Sequence, residues 1–140
     1  MANTQAVSGI MKQVALAAVV DGKALKAALY LASATTNGTN TAYTATGEVS
    51  GTNYTAGGVS VTNANSAGLT STTAYWTPSA SITYTTVTLA TAFDAVMIYS
   101  TTDTNRNLGV FTFGSQTITA GTFTLTMPAN DSSTGLIRFA

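Results

Sequence analysis

"FDAVMIYS", residues 93–100, is apolar on both sides of a two-residue alternation, and its reading decides the fold. A strand that is hydrophobic on both faces must be covered on both, so it belongs in the middle of a sheet. Upstream, "SITYTTVTLA" at residues 81–90 puts Ile82, Tyr84, Val87 and Leu89 on a strand. Its alternation slips at Thr85-Thr86, where one extra residue fits a bulge or a turn. Downstream, "TTDTNRN" reads as a turn and "LGVFTFGS" as the next strand. "QTITAGTFTLTMP" reads as two short strands broken at Ala120-Gly121, and residues 135–140 as a final strand.

Further towards the N-terminus, Val59 and Val61 alternate with Ser60 and Thr62, and "TAYWTP" brings Tyr75 and Trp76 up to Pro78, a residue confined to a strand end or edge. Residues 25–31 alternate Leu25, Ala27, Leu29 and Leu31 against Lys26, Ala28 and Tyr30. Between these lies "SATTNGTNTAYTATGEVSGTNYTAGG", residues 33–58, without a clear period; its tyrosines predict an ordered surface loop with brief strand pieces. Ser8 is placed to cap a helix whose apolar positions Ile10, Val14, Ala17 and Ala18 share one face, stopped by Asp21-Gly22. The expectation is mainly β: an antiparallel β-sandwich, immunoglobulin-like or jelly-roll, with one short N-terminal helix. Residues 1–7 read as a polar arm and residues 8–140 as a single β-sandwich domain.

The 140 residues are 45% apolar and only 7% charged, five cations balancing five anions. Zero net charge favours self-association or life in an assembly over free dispersal. Without His or Cys the usual transition-metal ligands are missing. The apolar run at residues 14–20 is too short and too poorly flanked for a secretory signal, and no run approaches a bilayer span.

"GEVSGTNYTAGG", residues 47–58, carries glycines that suggest a phosphate cradle, but the Lys of a P-loop is missing and a strand rather than a long helix follows. Gly57-Gly58 is read instead as the positive-φ pair of a tight turn. "DTNRN", residues 103–107, begins like a calcium loop; Leu108 and Gly114 then stand where Gly and Glu are required, which leaves an Asx-type turn. The carboxylates Asp21, Glu48, Asp94, Asp103 and Asp131 are scattered, and no serine has a base to activate it, so no enzyme and no cofactor is expected. Asp94, within the apolar stretch, is read as a strand-end residue bonded to a turn. Five dispersed cations make no track for nucleic acid.

"MANTQAVSGI", "ALYLASAT", "TAYTATGEVSGTNYTAGGVSVTN", "FDAVMIYS", "FTFGSQTITAGTFTLTMP" and "GLIRFA" together resemble small virion structural proteins of tailed bacteriophages, over nearly the whole chain. The resemblance implies a non-enzymatic particle component assembled in the bacterial host cytoplasm. A capsid cement or decoration protein is implied first and a neck or tail component second. Its partners would be the major capsid protein or other virion proteins and copies of itself, with neither nucleic acid nor membrane. The arm, with Asn3, Thr4 and Gln5, and the loop tyrosines Tyr43 and Tyr54 are the expected contact residues, together with Arg106. A carbohydrate- or receptor-binding module is the competing reading, with Tyr43, Tyr54, Tyr75 and Trp76 as its exposed platform; aromatics that are buried instead favour a structural role.

Overall fold

The computed structural model describes residues 3–140; Met1 and Ala2 of the expected arm lie outside them. The elements are helix α1 (Gly9–Val20) and strands β1 (Leu25–Leu31), β2 (Val59–Val61), β3 (Gly68–Thr70), β4 (Thr73–Trp76), β5 (Ile82–Ser100), β6 (Arg106–Leu125) and β7 (Ile137–Phe139). The protein is therefore mainly β, with two antiparallel sheets and one short N-terminal helix, as expected. The sheets run in the orders β2-β1-β5-β6 and β3-β4-β7. Residues 8–140, drawn as one domain from the sequence, divide into two compact units, one with each sheet.

The smaller unit holds α1, β3, β4 and β7. Ser8 caps the helix, its side chain accepting from the Met11 backbone N–H at 3.3 Å. The helix ends where the Asp21 N–H donates to the Ala17 carbonyl at 2.9 Å, and Gly22 follows at φ 65°. The buried helical side chains are Leu16 and Val20, whereas Ile10 and Val14 of the face read from the sequence are exposed. Apolar residues stand on nearly every side of this helix, so the period alone could not choose which stripe meets the sheet. Trp76 is fully buried at the end of β4, and its indole N–H is shared between Asn63 Oδ1 at 3.2 Å and the Asn65 carbonyl at 3.3 Å. Pro78 lies two residues beyond β4, at the strand end expected of it.

The larger unit is built on the β5–β6 hairpin, of 19 and 20 residues. The sequence predicts separate pieces for each strand; both run through, because their irregularities are bulges rather than turns. Thr86 (φ 53°) and Ala120 (φ 46°) take left-handed backbone at register shifts, which bends the ribbon without ending the pairing. From Phe93 to Ser100, β5 is flanked by β1 and β6 and buried almost throughout, as a central strand should be. Asp94 is the exception and is not at a strand end. On β1, Tyr30 opposes Ala95 and Leu31 opposes Phe93, so Asp94 is the extra residue of a bulge and stays half-exposed. The bulge spares the carboxylate full burial, which would cost several kcal/mol for an unpaired charge.

Candidate functional site

The loop at residues 33–58 is ordered by one carboxylate and a set of phenols. Glu48, bridged to Tyr30 of β1, accepts from Tyr43 Oη at 2.6 Å, Tyr54 Oη at 2.7 Å and the Gly57 N–H at 2.7 Å. Tyr54 Oη also accepts from the Leu29 N–H at 3.0 Å, and Tyr99 Oη donates to the Gly57 carbonyl at 2.8 Å. Tyr30 Oη donates to the Thr44 carbonyl at 2.7 Å, and Tyr84 Oη to the Ala27 carbonyl at 2.8 Å. The rings stack as well: Tyr43 on Tyr99 with centroids 4.8 Å apart, Tyr54 on Tyr84 at 6.0 Å.

Burial, reinforced by the Glu48 charge, pushes the Tyr30 hydroxyl up to about 12. Tyr43, Tyr54, Tyr84 and Tyr99 are raised as well, burial being the largest cause in each. Phenols held in the neutral form and aimed at a carboxylate or at carbonyls are fasteners rather than acids or nucleophiles. Gly57 (φ 90°) and Gly58 (φ 75°) form the tight turn that feeds β2, and a Cβ on Gly58 would collide with the Ala27 carbonyl. The glycines thus serve close backbone approach to β1.

The turn after β5 is not the expected Asx-type turn: the Asp103 carboxylate bonds the side chains of Lys23 and Ser100, the Ser100 hydroxyl receives the Asp103 N–H at 3.3 Å, and the turn closes backbone to backbone. Asp103 pairs with Lys23 at 3.2 Å and with the Ser100 hydroxyl at 3.2 Å, and the Arg106 N–H closes the turn on the Asp103 carbonyl at 3.1 Å. Thr104 and Asn105 both have positive φ, the geometry that matches the twist of a hairpin. The Lys23 hydrogen bond holds the Asp103 carboxyl below the usual carboxylate range. Asp131 is lowered in the same direction by the N–H groups of Thr134 and Ser133.

The expected contact residues separate. Asn3, Thr4 and Gln5 are exposed and outside regular structure, and Arg106 is exposed at the start of β6. Tyr43 and Tyr54 are half-buried and turned inward onto Glu48, and with Trp76 buried these rings make no exposed platform. A shallow cleft of about 480 Å³ opens beside the loop, lined by Ser33, Thr35, Thr36, Asn40, Thr44 and Thr46, with no charge and no ring. Among the described residues, no three of Asp, Glu, His or Cys cluster as metal ligands.

Two features escaped the sequence reading. Glu48 stood among five scattered acids; its signal was a single carboxylate in an otherwise uncharged loop, between tyrosines at positions 43 and 54. The second feature is an apolar stripe left in water: Val7 is 57% exposed, Ile10 58%, Met11 60% and Val14 62%. The three-and-four spacing that reveals the helix includes Ile10 and Val14 but not Val7 or Met11, and a spacing does not say whether its face is covered. The chain matches no protein family, no curated protein and no solved structure with which it was compared.

Proposed function

We propose that the protein is a non-enzymatic structural component of a bacteriophage virion, a capsid cement or decoration protein that stabilises the shell through the major capsid protein. The observation that carries this reading is the exposure of Ile10, Met11 and Val14, which share a face of α1, with Val7 exposed just before the helix. Contiguous apolar surface on one helix face, rimmed by polar residues, is the usual mark of a surface that meets another protein. Two further features support it. The inward-turned tyrosines serve order in the loop, and a surface of low charge and zero net charge is better suited to an assembly than to free solution. Repeated on a shell, even weak contacts add through valency, and a domain already rigid loses little entropy on docking.

The test is a particle reconstruction combined with Ile10→Glu/Val14→Glu. Both positions are exposed, so the variant should fold with stability within about 0.5 kcal/mol of the parent. It should nevertheless be missing from purified particles that carry the parent protein over the icosahedral shell. Rings at a single vertex would move the protein to the neck or tail. Absence of the parent protein from particles would refute the proposal.

A further inference from the structure

The longest unprotected feature of the protein is the outer edge of β6. In the sheet order β2-β1-β5-β6 it is a terminal strand, hydrogen-bonded along one side to β5. Only its start is covered on the other side: Arg106 bridges to Ala42, and the Asn107 N–H donates to the Thr41 carbonyl at 3.1 Å. From residue 108 onward, among the described residues, no second strand meets it.

Edge strands are normally guarded by charge or proline. Residues 107–125 contain no Lys, Arg, Asp, Glu or Pro. None of the strand is buried, and its large apolar side chains, among them Phe111, Phe113, Ile118 and Phe123, are all half-exposed. Phe113 and Phe123 lean on the fully buried Phe93, with centroids 6.0 and 5.1 Å away. The guard that does exist is bulging, which divides the ribbon into regular stretches at residues 109–112 and 123–125.

The geometry points to a second copy of this chain as the occupant: two β6 edges pair antiparallel about a two-fold axis at Thr117. Residues 109–112 of each copy then lie against residues 122–125 of the other. Three arguments select a copy over an unrelated partner. An edge without charge meets itself with no like-charge repulsion, whereas a charged partner gains nothing from it. Thr and Phe are strand formers whose cross-strand pairs are favourable in either order. Finally, the open edge is at most about 60 Å long at roughly 3.4 Å per residue, and with a height of about 10 Å it covers no more than about 600 Å² per copy, less where bulges interrupt the pairing. That is the lower limit of a specific interface, so the dimer should be weak and concentration-dependent. The inference rests on the edge alone and is independent of any place in a virion.

Sedimentation equilibrium of the purified chain from about 1 to 500 μM tests it, with hydrogen exchange of the β6 amides at both extremes. The expected result is a monomer–dimer equilibrium with a dissociation constant of the order of micromolar, and amide protection at residues 108–125 that rises with concentration. Thr112→Lys/Thr122→Lys, at two exposed positions, would set like charges opposite each other and weaken the dimer by at least about tenfold. Thr85→Lys, exposed on β5, should leave it unchanged. A monomer at every concentration would overturn the inference, as would β6 protection independent of concentration. A dimer abolished by Ile10→Glu instead of the β6 lysines would place the contact on α1 and overturn it equally. The exchange measurement uses the parent chain alone, so it decides the question even where a lysine variant fails to fold.

Discussion

Glu48 is the residue on which the loop at 33–58 depends, because its two oxygens receive three donors. Hydrogen bonds to a charged acceptor are worth about 1.5–3 kcal/mol each and are not additive. Glu48→Ala should therefore cost about 2–4 kcal/mol in urea unfolding. Glu48→Gln, which keeps one carbonyl acceptor but turns an amide N–H₂ towards donors, should cost about half as much. The phenols around it set the alkaline limit. In the unfolded chain they ionise near 10, whereas in the folded protein burial raises them, Tyr30 to about 12. The folded state keeps protons that the unfolded state releases, so this stabilisation is complete below pH of about 10 and is lost as pH rises through the folded values. Urea midpoints should be level between about pH 7 and 9 and fall above about pH 10, while phenolate absorbance develops in step with unfolding. Asp103 and Asp131 act in the opposite direction: both are lowered, so their contribution is present at neutral pH and is lost as pH falls through the acid range.

Among the elements, the β5–β6 ribbon shows how irregularity can be built in without breaking a strand. Ala120 stands at φ 46° although it carries a Cβ, a conformation that costs a non-glycine residue about 1 kcal/mol. Ala120→Gly should relieve this and leave stability level or raised by up to about 1 kcal/mol, the gain being offset by greater freedom in the unfolded chain. Gly58→Ala should do the reverse. It adds a Cβ at φ 75° against the Ala27 carbonyl and should lower stability by more than about 2 kcal/mol, with loss of order at the start of β2 in hydrogen exchange. Helix α1 buries one apolar stripe, Leu16 and Val20, and is tied down further by Lys12 and Gln13, which donate to the Thr72 and Ala67 carbonyls. Ser8→Ala removes its cap and should cost about 1 kcal/mol, read from the thermal midpoint.

At the scale of the molecule, the near-absence of charge predicts that electrostatics contributes little to stability. The Lys23–Asp103 pair is partly exposed and screened by solvent, so raising salt from about 0.05 to 1 M should shift the unfolding midpoint only slightly.

The class of fold was legible because two-residue alternation and β-branched composition are local properties. "FDAVMIYS" had to be central whatever surrounded it, the turn at Gly57-Gly58 followed from glycine's freedom at positive φ, and Ser8 with Asp21-Gly22 bounded the helix from its capping chemistry alone. What only the tertiary structure decided were choices between locally equivalent alternatives. An apolar helix offers two stripes, and contact with the β3-β4 sheet selected Leu16 and Val20 over Ile10 and Val14. A slip in alternation reads alike as turn or bulge until a partner strand continues past it, as β6 does past Thr86. Five acids look equivalent until folding brings Tyr43, Tyr54 and Gly57 to one of them, since hydrogen-bond partners distant in sequence are joined by packing and not by spacing.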